Sequence, residues 1–290
     1  MGEFKVFFET SELKRKLYFF FFLPLKILQH LIIYGHETLK SDVIVQIRRC
    51  KSCGSAFQNF PHTDKSMESF YEKYYARDKL TNPKRTKRAV FGQYKFITPL
   101  VAGLVKNGGS VLEVGCAEGY LVHLLREQGL DAKGIEPARH KVEQGIKEYS
   151  LQGRLTAGLY GKDSCPPSSF DAILSNHVLE HLTDIHEFFR NAYSHLKPGG
   201  HLLTYTPCVE AVARSLEQGD PPESNPLGYA HAVIYSREYV AQCLAKAGFE
   251  VERSVIAFSR DESWKGERPL PEGPRPKGMF IQAAKPATAS

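Results

Sequence analysis

Val111-Leu112-Glu113-Val114-Gly115-Cys116-Ala117-Glu118-Gly119-Tyr120 runs from an apolar strand pattern into a glycine turn, and Leu121, Val122, Leu124 and Leu125 then recur at helical spacing. The turn glycines permit positive φ and let a ligand come close to the backbone. One strand later the chain reads Gly134-Ile135-Glu136, which puts a carboxylate about 20 residues beyond Gly115, the spacing at which a dinucleotide-type βαβ unit places the acid that takes ribose hydroxyls. The turn departs from the phosphate-binding form G-x-G-x-x-G: Ala117 stands at its middle position and Tyr120 at its last. Glu118 would also repel a pyrophosphate. Both departures favour a nucleoside cofactor without phosphates.

Glu113, at the end of the first strand, is suited to accept hydrogen bonds from an ammonium group, and S-adenosylmethionine meets both requirements. Three further segments follow in order: Phe170-Asp171-Ala172-Ile173-Leu174-Ser175-Asn176-His177-Val178-Leu179-Glu180-His181-Leu182, then Leu196-Lys197-Pro198-Gly199-Gly200-His201-Leu202-Leu203, then Ala247-Gly248-Phe249. Pro198 and its glycines stop a helix and turn the chain into a strand. With the glycine turn, these segments resemble the class I S-adenosylmethionine-dependent methyltransferases over residues 85–285. The likeness is greatest to the small-molecule group that includes ubiquinone-type O-methyltransferases and enzymes of glycan and natural-product clusters.

Strand patterns at 111–114, 132–136, 153–157, 171–175, 201–206, 250–257 and 279–284, with helical patterns between the first five and before the sixth, predict an α/β fold. The expected architecture is a doubly wound, mostly parallel, seven-stranded Rossmann-like sheet. A Pro/Gly-rich connection, Arg260–Lys277, suits an antiparallel last strand, as the resemblance also implies. Val90–Val105 reads as a helix leading into the sheet, with Pro99 able to kink it. The domain reading is a small N-terminal appendage over 1–80, the cofactor-binding domain over 81–285 and a tail at 286–290.

A chain of 290 residues, 42% apolar, can bury one substantial core and a small appendage. Its net charge of +6 is uneven, because Lys14-Arg15-Lys16, Arg48-Arg49-Cys50-Lys51 and Lys84-Arg85-Thr86-Lys87-Arg88 all precede the cofactor motif. Such runs are ordinarily a solvated face; the alternative is an anionic partner such as a phosphorylated sugar carrier, a membrane surface or RNA. Scattered cysteines without a cleavable secretory signal make reduced thiols in the cytoplasm the expectation. The apolar run Leu17–Tyr34 is interrupted by Pro24, Lys26, Gln29 and His30, so it does not read as a spanning helix. It packs on its own domain or, with its basic flank, gives the protein a peripheral membrane contact.

Cys50-Lys51-Ser52-Cys53-Gly54 has a hairpin-like setting. It resembles the second half of the N-terminal zinc ribbon that several methyltransferases of this group carry, as Phe70-Tyr71-Glu72-Lys73-Tyr74-Tyr75 resembles the segment after it. The first cysteine pair of such a ribbon is missing, and a structural zinc needs four ligands. A ribbon that kept its hairpin without the ion is the primary expectation. Cys50 and Cys53 with a histidine, His36 foremost beside His30 and His62, are the residual metal candidates.

The resemblance implies cofactor contacts at Glu113, Gly115, Cys116, Ala117 and Gly119 in the first turn, Glu136 on the ribose, Leu159 (with Tyr160) at the adenine, and Asn176 and His177 after the fourth strand. The third strand lacks the acid that often takes the adenine amine. Methyl transfer needs an aligned nucleophile and, for a hydroxyl, a proton acceptor; His231, His177 and His181 are the candidates. His231 lies in Gly228-Tyr229-Ala230-His231-Ala232-Val233-Ile234-Tyr235-Ser236, after a long loop from Thr206, where the family places acceptor-facing residues. Ser236 reads as the next helix's N-cap, with Glu238 in its first turn. The expected function is methyl transfer to a small-molecule or glycan-precursor acceptor, O-methylation before N- or C-methylation. Two alternatives stand beside it: a catalytically silent S-adenosylmethionine-binding scaffold held to a membrane or partner, and an RNA methyltransferase. The second is disfavoured because no N-P-P-Y-type motif occurs.

Overall fold

The computed structural model describes residues 4–8, 47–58, 94, 97–182, 184–217, 231, 233–257 and 278–287. The Leu17–Tyr34 run, His30, His36, His62, Phe70–Tyr75 and the Arg260–Lys277 connection lie outside them. Among the described residues no helix is long and apolar enough to cross a membrane.

The strands are β1 (Phe4–Phe8), β2 (Ile47–Cys50), β3 (Ala56–Gln58), β4 (Ser110–Val114), β5 (Asp131–Glu136), β6 (Leu155–Ala157), β7 (Phe170–Asn176), β8 (Leu196–Thr206), β9 (Val233–Ile234), β10 (Glu250–Ala257) and β11 (Gly278–Ala284). The helices are α1 (Tyr120–Glu127), α2 (Arg139–Tyr149), α3 (Ile185–His195), α4 (Val209–Glu217) and α5 (Arg237–Lys246); residues 97–104 are also helical. Seven strands form one sheet in the order β10-β11-β8-β7-β4-β5-β6. β11 runs antiparallel between β8 and β10, and the β4–β5, β4–β7, β5–β6 and β7–β8 pairs are parallel.

Alternate residues of the central strands feed two cores, one on each face of the sheet. Val111, Ala172, Leu174, Leu203 and Phe280 pack with Leu121, Val122 and Leu125 of α1 and Val142 of α2. Leu112, Val114, Ile173, Leu202 and Ile281 pack with Phe188 and Phe189 of α3 and Val240 and Leu244 of α5. A strand covered on both faces has to be apolar at nearly every position. Glu113, on the α1 face, is the buried exception in β4.

Asp171, from the Phe-Asp pair that opens β7, ties the parallel strands together at their amino ends. Its Oδ2 accepts from Ser110 N–H and from Lys197 Nζ, each at 2.7 Å, tying together the starts of β4, β7 and β8. Burial raises this carboxyl, but the Lys197 ammonium and the Ser110 N–H outweigh it and hold it below its ordinary value.

Two expectations fail locally. No helix joins β6 to β7: residues 158–169 run as turns, fixed by His195, whose Nε2 and Nδ1 bond Lys162 O at 3.0 Å and Tyr160 OH at 2.8 Å. The segment after Thr206 is not all loop, because Val209-Glu210-Ala211-Val212 begins α4 and buries Val209, Ala211 and Val212.

The N-terminal strands form a second, antiparallel sheet in the order β1-β2-β3-β9. β9 comes from the segment just after His231, pairing Ala56 with Ile234 and Phe57 with Val233. The Cys50–Gly54 turn is a hairpin end, with Gly54 at φ +73° donating its N–H to Cys50 O at 2.9 Å.

Candidate cofactor site

β4 lies between β5 and β7, so the loops leaving β4 and β7 part to opposite sides and open a crevice at the carboxyl ends of the strands. The β4 loop is held open by positive φ at Gly115 (+73°), Ala117 (+46°) and Gly119 (+72°). Gly115 and Cys116 both donate to Ile135 O, at 2.8 and 3.2 Å. A Cβ on Gly115 would come within 2.5 Å of Val178 Cγ2, so the loop after β7 rests directly on this turn. Gly145 of α2 is equally constrained from below: its Cβ would lie 2.0 Å from Glu118 O.

Glu136 is 4% exposed. Its Oε2 accepts from Ala117 N–H and its Oε1 from Ala138 N–H, both at 3.0 Å, strapping the glycine turn to the end of β5. Each oxygen keeps a second lone pair for a hydroxyl. Burial lifts its carboxyl, the two N–H groups pull it back, and the outcome lies above the ordinary carboxylate value.

Glu113 is buried beneath the turn, near the Val122 N–H at the N-terminus of α1, which favours its charged form. Its Oε2 is buried with no hydrogen-bond partner. Burial, then the charge of Glu136, pushes this carboxyl well up. An orphaned carboxylate oxygen in the interior is costly unless a donor reaches it, and an ammonium group supplies one. The two acids thus fit the needs of an aminoacyl nucleoside, which brings an ammonium group and sugar hydroxyls.

Glu118, in contrast, is engaged with Lys141 Nζ at 2.5 Å. The ion pair offsets its charge, so repulsion of diphosphate falls to Glu136. Cys116 turns its thiol into the core against Gly134, whose Cβ would meet Sγ at 2.5 Å, and its carbonyl accepts from Gly119 N–H at 2.7 Å, so the residue shapes the turn from within. Leu159 is 68% exposed at the rim. Tyr160 points inward, edge-on to Phe188 with its hydroxyl on His195, and is not available to an adenine.

The three candidate histidines come together around Glu180, a residue quoted above only as part of the segment that follows β7. Glu180 is completely buried. Its Oε1 lies 2.9 Å from His177 Nδ1 and 4.0 Å from His231 Nε2, and its Oε2 accepts from Thr206 Oγ1 at 2.7 Å. The His181 and His231 rings meet edge to face, centroids 4.8 Å apart. Burial opposes ionisation of Glu180, but the His177 hydrogen bond and the three imidazole charges overcome it and hold the carboxyl at about 2. Asn176 ends β7 opposite Tyr205, and His177 follows at φ +55°, its N–H on Tyr205 O at 2.8 Å.

The donor atoms of Glu180, His181 and His231 lie within 4.8 Å of one another, wider than the roughly 3.4 Å between ligands on one tetrahedral zinc. Cys50 and Cys53 bring two thiols to their turn, where Cys53 N–H and Ser52 N–H lower the Cys50 thiol. His36 lies outside the described residues.

A methyltransferase-domain family matches residues 86–254. A probable S-adenosylmethionine-dependent methyltransferase of Mycolicibacterium smegmatis is 28% identical over 151 residues, 52% of this chain and 56% of that protein. The ubiquinone biosynthesis O-methyltransferase of Aliivibrio fischeri is 30% identical over 107 residues, 34% of this chain and 44% of that enzyme; the chain spans about half the length of these two relatives. Among solved structures, an S-adenosylmethionine-dependent methyltransferase of Thermotoga maritima superposes with a TM-score of 0.52 at 20% identity, covering 76% of this chain and 98% of the other, which speaks for the fold. The glycine turn, the two buried acids beneath it and the family match over more than half the sequence agree: the chain belongs to the methyltransferase-domain family, and its cofactor is S-adenosylmethionine.

Proposed function

We propose that this protein transfers a methyl group to a hydroxyl of a small-molecule or glycan-precursor acceptor. The observation that carries the reading is the convergence of His177, His181 and His231 on the buried carboxylate of Glu180, beside the loop that rests on Gly115. Similarity to ubiquinone O-methyltransferases supports oxygen as the acceptor atom. Bound S-adenosylmethionine supplies an electrophilic methyl group on a sulfonium. Glu113 and Glu136 fix where that methyl lies, Val178 closes the crevice over Gly115, and the histidine cluster accepts the proton that a hydroxyl must lose.

Calorimetric titration with S-adenosylmethionine and S-adenosylhomocysteine, followed by transfer of a labelled methyl group to a panel of phenolic and sugar hydroxyls, tests this. Binding of both ligands with labelled ether products is expected. Binding without turnover across the panel would favour the silent scaffold, and no binding by a folded protein would overturn the reading.

A further inference from the structure

A buried carboxylate that holds a histidine by one ring nitrogen decides which nitrogen carries the proton, and that geometry separates His177 from the other two histidines. Glu180 Oε1 lies 2.9 Å from His177 Nδ1 but 4.0 Å from His231 Nε2. Glu180 cannot turn away, because Thr206 Oγ1 donates to its other oxygen at 2.7 Å and the residue is fully buried. His177 cannot turn away either: its backbone is at φ +55° with the N–H on Tyr205 O, and its ring packs edge-on to Tyr205 with centroids 5.1 Å apart. The imidazole is 41% exposed, against 23% for His231. Its neighbour Val178 is the residue that covers Gly115 at the end of β4.

We infer that His177 is the proton acceptor for the methylated hydroxyl, and that Glu180 and Thr206 are positioning residues that keep its proton on Nδ1. This rests on the methyl-transfer reading. In its neutral form His177 donates Nδ1–H to Glu180, which leaves the Nε2 lone pair for the acceptor's hydroxyl. As the hydroxyl oxygen's electron pair bonds the methyl carbon, the carbon–sulfur pair stays on sulfur and the hydroxyl proton passes to Nε2. The imidazolium so formed lies against the Glu180 carboxylate. Glu180 touches neither substrate nor cofactor and acts through the ring.

Long-range ¹H–¹⁵N spectra of the full chain at mildly alkaline pH read the tautomer directly, with the His177 signals assigned by their loss in His177→Gln. The wild type should show His177 protonated at Nδ1, Glu180→Gln should move it toward the Nε2–H form common in water, and Thr206→Val should do so in part. With the hydroxyl acceptor turned over in the labelled-methyl panel, His177→Gln should lower kcat about a hundredfold, and Glu180→Gln should lower kcat while the KM for S-adenosylmethionine stays within about twofold. Thr206→Val keeps the test open if Glu180→Gln does not fold. A wild-type His177 protonated at Nε2, or an undiminished kcat in His177→Gln, would overturn the assignment. Failure of the wild type to bind S-adenosylmethionine would instead strike the methyl-transfer reading and leave the tautomer result standing.

Discussion

The Oγ of Ser236 lies 2.5 Å from the carbonyl oxygen of Cys53, to which it donates, and the Ser236 Oγ itself accepts from Tyr239 N–H at 3.2 Å. One hydroxyl therefore caps α5 and pins the cysteine turn of the N-terminal hairpin, while Ser236 N–H reaches Ser55 Oγ at 3.1 Å. Ser236→Ala removes a cap and a hydrogen bond together and should destabilise the fold by about 1–2 kcal/mol. Urea unfolding followed by circular dichroism measures it; a change within about 0.3 kcal/mol would mean that the hairpin and helix do not share this anchor.

Ala117 occupies the left-handed region at φ +46° with its N–H on Glu136. A Cβ there is unfavourable by roughly 1 kcal/mol, offset in part by the greater freedom of glycine in the unfolded chain. Ala117→Gly should raise the melting temperature by about 1–2 °C and leave S-adenosylmethionine affinity within about twofold. A lower melting temperature would show that the alanine methyl contributes packing that outweighs its backbone strain.

The turn, the mostly parallel sheet and the place of Glu136 at the end of β5 were readable because each rests on a local rule: glycines where φ is positive, apolar runs for buried parallel strands, a carboxylate one strand on. The site's second half obeys no such rule. Glu180, His177, Thr206 and His231 come from three separate stretches, brought together by β7 and β8 lying side by side and by His231 closing over them. The Glu180–His177 spacing looks like an ordinary pair in a 3₁₀ turn, and only the burial of Glu180 shows that its charge has nowhere else to go. β9 was missed for a related reason, because two residues carry too little pattern to announce a strand. Gly145 gave no signal beyond being a glycine in a helix, and the contact it permits is with Glu118, a residue far off in sequence.

The Cys50 thiol is lowered from its ordinary value by Cys53 N–H and Ser52 N–H, whereas burial raises Cys116, Cys208 and Cys243. Thiolate is the nucleophile. Iodoacetamide at neutral pH should therefore modify Cys50 before those three, as read by peptide mass spectrometry over time. Faster labelling of Cys116 would show that the glycine turn opens far more readily than its burial implies.

Glu136→Gln keeps one carbonyl oxygen for Ala117 or Ala138 and turns an acceptor into a donor. Loss of a charge-assisted bond to the sugar should weaken S-adenosylmethionine binding by about 1–3 kcal/mol. Adenine alone, which brings no ribose, should bind wild type and variant alike. Equal S-adenosylmethionine affinity in the two proteins, measured calorimetrically, would place the sugar elsewhere.

Glu113 gives the ligand-free protein an acid whose folded pKa is raised well above its ordinary 4.5, first by burial and then by Glu136. In the unfolded chain the same group releases its proton near the ordinary value. As pH rises from about 4.5 toward the folded pKa, the native state holds the proton that the unfolded state has lost, so this residue contributes a loss of stability with rising pH. Glu113→Gln, which cannot ionise, should match the wild type near pH 4 and become progressively more stable than it toward pH 8. The same substitution should weaken S-adenosylmethionine, because a neutral amide faces the ammonium where a carboxylate would pair with it. Ammonium binding favours the ionised form of Glu113, so the wild type should release protons on binding, seen as calorimetric enthalpies that differ between phosphate and Tris buffers. Denaturation curves of the two proteins running parallel from pH 4 to 8, with no proton release, would show that Glu113 does not face the ammonium and that its buried oxygen serves another purpose.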